Sequence, residues 1–107
     1  GDIGQILGNI GLLKYAKDIK IDARISGVGF DIKLVEGKVS DAAFINQKIS
    51  LFPFFGDALV TNSRGLYCPL ENLLLSAGTN RGLSNVATAN EISFTVESGN
   101  LLMIKYY

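Results

Sequence analysis

Apolar and polar positions alternate with a period of two from Ile19 to Leu34, with one change of phase. Ile19, Ile21, Ala23 and Ile25 alternate with Lys20, Asp22 and Arg24. After Ser26-Gly27, the apolar set Val28, Phe30, Ile32 and Leu34 alternates with Gly29, Asp31 and Lys33. A tight turn at Ser26-Gly27 accounts for the switch and would oppose Ile25 to Val28, Ala23 to Phe30, Ile21 to Ile32 and Ile19 to Leu34. The pattern therefore predicts a β-hairpin, apolar on one side and charged on the other.

The same logic predicts further strands. Glu36-Gly37 reads as a second turn, leading into a strand from Lys38 to Ile45 that Asp41 interrupts. A bulge that turns Ala42 and Phe44 inward is favoured there over an inward Asp41 with a partner, because an unpaired buried carboxylate is costly. Lys48 to Phe52 is a fourth strand, stopped by Pro53, and Ala58 to Thr61 a brief fifth. Near the end, Ile92, Phe94 and Val96 alternate with polar residues. A loop at Ser98-Gly99-Asn100 would then pair Val96 with Leu102, Phe94 with Ile104 and Ile92 with Tyr106. Leu101, Met103 and Tyr107 would face the other way. An apolar set on both faces implies that this strand is covered on both.

Two segments carry helical spacing. Ile3, Ile6, Leu7, Ile10, Leu13 and Ala16 form an apolar stripe over residues 3–16, with Asp2 as N-cap. Gly4, Gly8 and Gly11 each cost about 1 kcal/mol against alanine in a helix interior. They would line one flank and allow close approach by another backbone, so the segment is either an arm packed on another subunit or a helix folded over its own sheet. In the second segment Pro69 suits a first helical turn, Leu70, Leu73, Leu74 and Ala77 form a face, and Gly78 suits the stop. That predicts a helix over 69–77 lying across the sheet. Residues 78–90 read as a long loop tethered by Leu83 and Val86, and Thr79-Asn80-Arg81-Gly82 could contact a small anion.

The resulting fold class is mainly β: six or seven short antiparallel strands in a sandwich or barrel, with one or two short helices. One domain is expected over 1–107, with residues 1–16 as a helical arm and 19–107 as the β domain. Composition narrows the chemistry. Ten basic and ten acidic residues cancel, so no electrostatic pull toward nucleic acid is expected. With no histidine and one cysteine, the commonest general base is missing and a zinc site is not expected. Cys68 is expected to be a small buried apolar residue. The carboxylates offer no pairing that suggests acid–base catalysis, and Gly27-Val28-Gly29 belongs to a hairpin, not to a phosphate loop. No catalytic residue, cofactor or metal is expected.

No stretch approaches the roughly 20 apolar residues of a membrane span. The start, Gly1-Asp2-Ile3-Gly4, lacks both a methionine and the pattern of a signal peptide, which reads as a processed start. Charged residues make up only 19% of the chain against 48% apolar ones, so the chain should be either very well packed or partly covered by a neighbour. The function that follows is a non-enzymatic structural subunit, such as a virion, tail or filament component, that forms homo-oligomers or larger protein assemblies. Its expected contacts are Ile3, Ile6, Leu7 and Ile10 on the arm, Leu51, Phe52, Phe54 and Phe55 at the proline bend, and Leu101, Met103 and Tyr107 on the last strand. The alternative is a small β module that holds a lipid or another apolar ligand.

Overall fold

The computed structural model describes residues 3–79 and 83–107. The Asp2 cap, and the Asn80-Arg81-Gly82 part of the anion loop, lie outside the described residues. Seven antiparallel strands form one sheet with an α-helix against it. In chain order the elements are α1 (Ile3–Asp18), β1 (Arg24–Gly27), β2 (Phe30–Ala42), β3 (Lys48–Phe52), β4 (Ala58–Arg64), β5 (Leu73–Leu75), β6 (Leu83–Val86) and β7 (Glu91–Tyr106).

Strand β7 is the axis of the sheet. Its whole length pairs with β2 on one edge, while the other edge takes β4 along the first half and β3 along the second. The apolar phase of β7 switches at Ser98-Gly99-Asn100, as the sequence pattern says, but the chain does not turn back. It continues through a bulge, so Ile92, Phe94 and Val96 share the inner face with Leu101 and Met103. A phase switch is satisfied equally by a hairpin or by a bulge in a continuing strand, and here pairing with β2 decides for the bulge. Gly99 has φ +76°, and a Cβ there would run into the Asp57 carbonyl oxygen, so the site needs glycine.

Glu36-Gly37 is likewise not a turn. Strand β2 runs straight through it, with the register shifting opposite the β7 bulge. Asp41 turns inward and meets Lys105, with 3.1 Å between Nζ and Oδ2, while Ala42 and Phe44 stay exposed. This reverses the expected bulge at Asp41, because a buried lysine supplies the partner that the carboxylate requires. The first hairpin is shorter than expected and turns at Val28-Gly29, with Gly29 at φ +84°. Ile25 pairs with Ile32, and Ile19 and Ile21 are exposed outside any strand. The slip is four residues in pairing, an even number, so the faces of the pattern are kept.

The expected helix over 69–77 is absent. Leu73, Leu74 and Leu75 form β5 against Val60, Leu59 and Ala58 of β4. The free edge of β4 overrides the helical spacing, and Asn72 at φ +47° sets the entry to the strand. Helix α1 does form, folded over the sheet of its own chain. Ile10 and Leu13 bury against Ile32, Leu34 and Leu102 on the outer face, each contributing about 2 kcal/mol of burial. The inner face is filled by Ile49, Leu51, Leu70, Ile92, Phe94, Leu101 and Met103, all fully buried. A bridge between Leu66 and Ala87 ties the β4 arm to the end of β6, so the sheet folds back round this core.

Candidate functional site

The outer face of the sheet is only half covered by α1. Beyond the helix, cross-strand neighbours place four side chains in one row. Leu66 points inward, so Tyr67 points outward and is 76% exposed, and its N–H donates to the Val86 carbonyl at 2.9 Å. Val86 is opposite Lys48, and the Lys48 ammonium lies 5.2 Å from the centre of the Tyr106 ring. That distance is within the range of a cation–π contact. The next row carries Ser84 beside Ser50. The strip thus presents two tyrosine rings, one ammonium and two hydroxyls to solvent.

Buried amides hold the strip in place. Asn85 is 3% exposed. Its Nδ2 donates to the Cys68 carbonyl at 2.8 Å, and its Oδ1 accepts from the Cys68 and Val86 N–H groups at 3.0 and 2.9 Å. These bonds fasten the loop bearing Tyr67 to the edge strand β6, where ladder bonds would otherwise end. Cys68 is exposed, contrary to the burial expected for it, because this tether spends its backbone on Asn85 and leaves its thiol outside. Gln47, 1% exposed, does the same at the end of the row. Its Nε2 donates to the Tyr106 carbonyl at 3.1 Å and its Oε1 accepts from the Phe44 N–H at 3.3 Å. The Phe44 and Tyr107 rings lie with their centres 6.2 Å apart.

Asp31 lies beneath Tyr107. Its carboxylate accepts from the Ser26 hydroxyl at 2.6 Å and the Tyr107 hydroxyl at 3.1 Å, with Arg24 3.7 Å away. The Ser26 hydrogen bond is the largest influence, and it holds the Asp31 carboxyl below the usual carboxylate range against an opposing partial desolvation. A concave feature of about 450 Å³ lies at the end of α1 and is lined by Lys17, Lys20, Ile21, Asp22 and Glu36, with both signs of charge mixed. Among the described residues no three His, Cys, Asp or Glu side chains gather in a way that could hold a metal ion.

The contacts expected from sequence are dispersed. Leu51, Leu101 and Met103 are inside the core and Ile10 is under the helix, so none of these presents a surface. Ile6 and Phe52 are partly buried in the helix–sheet seam. Phe54 and Phe55 are 45% and 37% exposed and meet edge to face at 4.9 Å, and Ile3, Leu7 and Tyr107 are exposed. Sequence patterning does not single out Tyr67, Ser84 or Asn85. The one available signal is the inward phase of Asn85 between Leu83 and Ala87, since an amide on a core-facing position must be tethering something.

No family model and no curated protein matches the sequence. Solved structures do. The crystal structure of thiamine pyrophosphokinase from Bacillus subtilis matches 99% of this chain with a TM-score of 0.87 and 26% identity. The chain shares the fold of half of that protein. It covers 51% of the Bacillus chain and 50% of the thiamin pyrophosphokinase from Geobacillus thermodenitrificans, where the TM-score is 0.85 at 23% identity. The enzyme from Candida albicans matches at 0.83 and 13%, with 40% of its chain covered. These likenesses overturn the expectation of a virion, tail or filament component, because the fold is that of a part of small-molecule kinases. The sequence could not show this, since low charge and apolar strands suit a domain of a larger enzyme as well as an assembly subunit. No helix among the described residues is long and apolar enough to cross a membrane.

Proposed function

We propose that the chain is the β half of an enzyme resembling thiamin pyrophosphokinase, and that it binds the acceptor while the group-transfer chemistry comes from outside this half. The observation that carries the reading is the match over 99% of the chain to half of the Bacillus protein at 26% identity. By name, those enzymes transfer a pyrophosphoryl group to thiamin. Such a transfer depends on positioning and on neutralising phosphate charge with metal ions and cationic side chains. Among the described residues no three His, Cys, Asp or Glu side chains gather for that purpose.

The outer strip suits the acceptor. Thiamin carries a positively charged thiazolium and an aminopyrimidine. The Tyr67 face can take the cation, and the Ser84 and Ser50 hydroxyls can donate to and accept from the pyrimidine edge. Lys48 already occupies the Tyr106 face. It therefore sets one boundary of the site and keeps the cationic ring toward Tyr67.

Calorimetry and amide NMR with thiamin test this reading. Binding with shifts centred on Tyr67, Ser84 and Asn85 supports it. Absence of binding at millimolar thiamin removes the acceptor role, and pyrophosphoryl transfer by the chain alone, given a nucleoside triphosphate and magnesium, removes the division of labour.

A further inference from the structure

Lys48 gives the outer strip a charge that free thiamin does not call for. Its ammonium lies 5.2 Å from the centre of the Tyr106 ring, and among the described residues it meets no carboxylate and no hydrogen-bond acceptor. The other members of the strip, Tyr67, Val86, Tyr106, Ser84 and Ser50, are uncharged. A thiazolium placed here finds π faces but no counter-charge, and an ammonium of its own sign in the same row. Like charges in one site weaken binding, so a strip that served only the free alcohol would be better without the lysine.

The lysine is also held in place. Lys48 pairs with Val86 across the ladder of β3 and β6, and the residue before it, Gln47, is buried and fastened to the Tyr106 carbonyl at 3.1 Å. The ring face steadies the head of the side chain. An ammonium carries three N–H donors, and a π face engages it from one side only. The other donors can meet an anion without the full ordering cost of a free surface lysine.

Spacing narrows the choice of anion. Tyr67 and Lys48 flank Val86 in one row, and Val86 is itself exposed. Two strand spacings separate the backbones of Tyr67 and Lys48, roughly 10 Å in all. Thiamin carries its pyrimidine and its hydroxyethyl arm on different atoms of the thiazolium. With the ring on Tyr67 and the pyrimidine toward the serines, the arm runs over Val86, and phosphates esterified to it arrive at Lys48.

We infer that Lys48 is a specificity-determining residue, which makes the strip bind the phosphate esters of thiamin, the diphosphate above all, in preference to thiamin itself. The inference rests on the acceptor reading proposed above and deepens it, since the strip that takes the alcohol holds the esterified form more tightly. A phosphate monoester carries about 1.5 to 2 negative charges at pH 7, more than the single positive charge of the thiazolium. Lys48 therefore acts on the two kinds of ligand with opposite signs.

Calorimetry without magnesium, using thiamin, thiamin monophosphate, thiamin diphosphate and inorganic pyrophosphate, tests the inference on the wild-type chain, Lys48→Met and Lys20→Met. The wild type should bind the diphosphate about tenfold or more tighter than thiamin, and added salt should narrow the gap. Lys48→Met should weaken the diphosphate and strengthen thiamin. Lys20→Met, which removes the same charge beside Glu36 at the end of α1, should keep the gap open. Lys48 is exposed, so thermal unfolding of its variant should match the wild type. Four results overturn the role of Lys48 while leaving the acceptor reading in place: equal wild-type affinities, a preference that survives in Lys48→Met, one lost equally in Lys20→Met, or pyrophosphate bound as tightly as thiamin diphosphate. A variant that binds both thiamin compounds more weakly also overturns it. No binding of any thiamin compound at millimolar concentration overturns both readings.

Discussion

Lys105 and Asp41 meet on the inner, core-facing side of the sheet, with Nζ 3.1 Å from Oδ2 and the lysine 6% exposed. The ammonium also donates to the Ala42 carbonyl at 2.9 Å, whereas the enclosed Asp41 Oδ2 has the ion pair but no well-aligned hydrogen bond. Removing one member leaves the other charge without compensation. Lys105→Met should lower stability by about 3 kcal/mol, and Asp41→Asn added to it should restore part of the loss. Urea denaturation of the two single variants and the double variant measures the coupling. Additive losses would mean that the pair contributes nothing as a pair.

Glycine is required at two crossing points and dispensable at a third. At Gly65 and Gly99, both at positive φ, a Cβ would enter the carbonyl oxygens of Glu91 and Asp57. Alanine at either site combines the left-handed penalty with a backbone clash and should cost more than about 2 kcal/mol. Gly37, at φ +65° with open space around it, carries the conformational penalty alone, so Gly37→Ala should cost about 1 kcal/mol. Thermal unfolding of the three alanine variants gives the ranking. Equal losses at all three would remove the clash argument.

The Asp31 carboxyl is held below its ordinary range chiefly by the Ser26 hydroxyl. Its folded pKa is lower than its unfolded one, so its contribution to stability is present above the ordinary carboxylate value and is lost as pH falls through the folded value. Ser26→Ala should raise the Asp31 pKa and move the acid limb of the stability curve upward in pH. Carboxyl NMR titration reads the first effect and acid unfolding the second. An unchanged Asp31 titration in the variant would assign the depression to another neighbour.

Asn85 makes three hydrogen bonds and is buried, so Asn85→Ala should cost about 2 kcal/mol and release the loop that carries Tyr67. Asn85→Asp keeps the acceptor and loses the donor to the Cys68 carbonyl, and should rescue little. Hydrogen exchange at the Cys68 and Val86 amides should rise in the alanine variant. Continued protection there would show that β6 holds the loop without the amide.

Tyr67 is mostly in solvent, so Tyr67→Ala should change stability by less than about 0.5 kcal/mol. If its ring holds the thiazolium, thiamin binding should weaken by about fivefold or more. Tyr67→Phe should bind nearly as the wild type does, since the π face is kept. Calorimetry on the two variants separates the ring from the hydroxyl.

Period-two alternation marked most of β2, β3, β4 and β7, because an inward or outward side chain is a local property of the pleat, but it also ran through Ile19 and Ile21, which lie outside any strand, and it missed β5 and β6. The fold class, β3, and the helix near the start were legible on that basis. Connections were not. The Ser98-Gly99-Asn100 switch reads as a hairpin until β2 is known to pair with both halves of β7. Leu70 to Ala77 has good helical spacing, and only the open edge of β4 turns its centre into a strand. The candidate strip was the least legible part, since Tyr67, Val86, Lys48 and Tyr106 come from four separate segments. Their adjacency is a matter of register, which local pattern does not contain. The arm was legible as a helix, but Ile6 and Ile10 pack on the sheet while Ile3 and Leu7 are exposed.

Strands β2, β3 and β4 do not pair with one another, and each finds its ladder partner in β7. Every one of them is synthesised before residues 91–106 exist. The nascent chain therefore emerges with three open strand edges and an apolar interior that cannot close until the last of its strands is made. Long-range closure of this kind is slow, so a ribosome stalled before Glu91 would hold a sticky, unfinished sheet. Segments that keep such edges from pairing with other molecules during that interval, the charged Lys33 and Lys38 of β2 and the Pro53 stop after β3, act as guards during synthesis as much as parts of the finished fold.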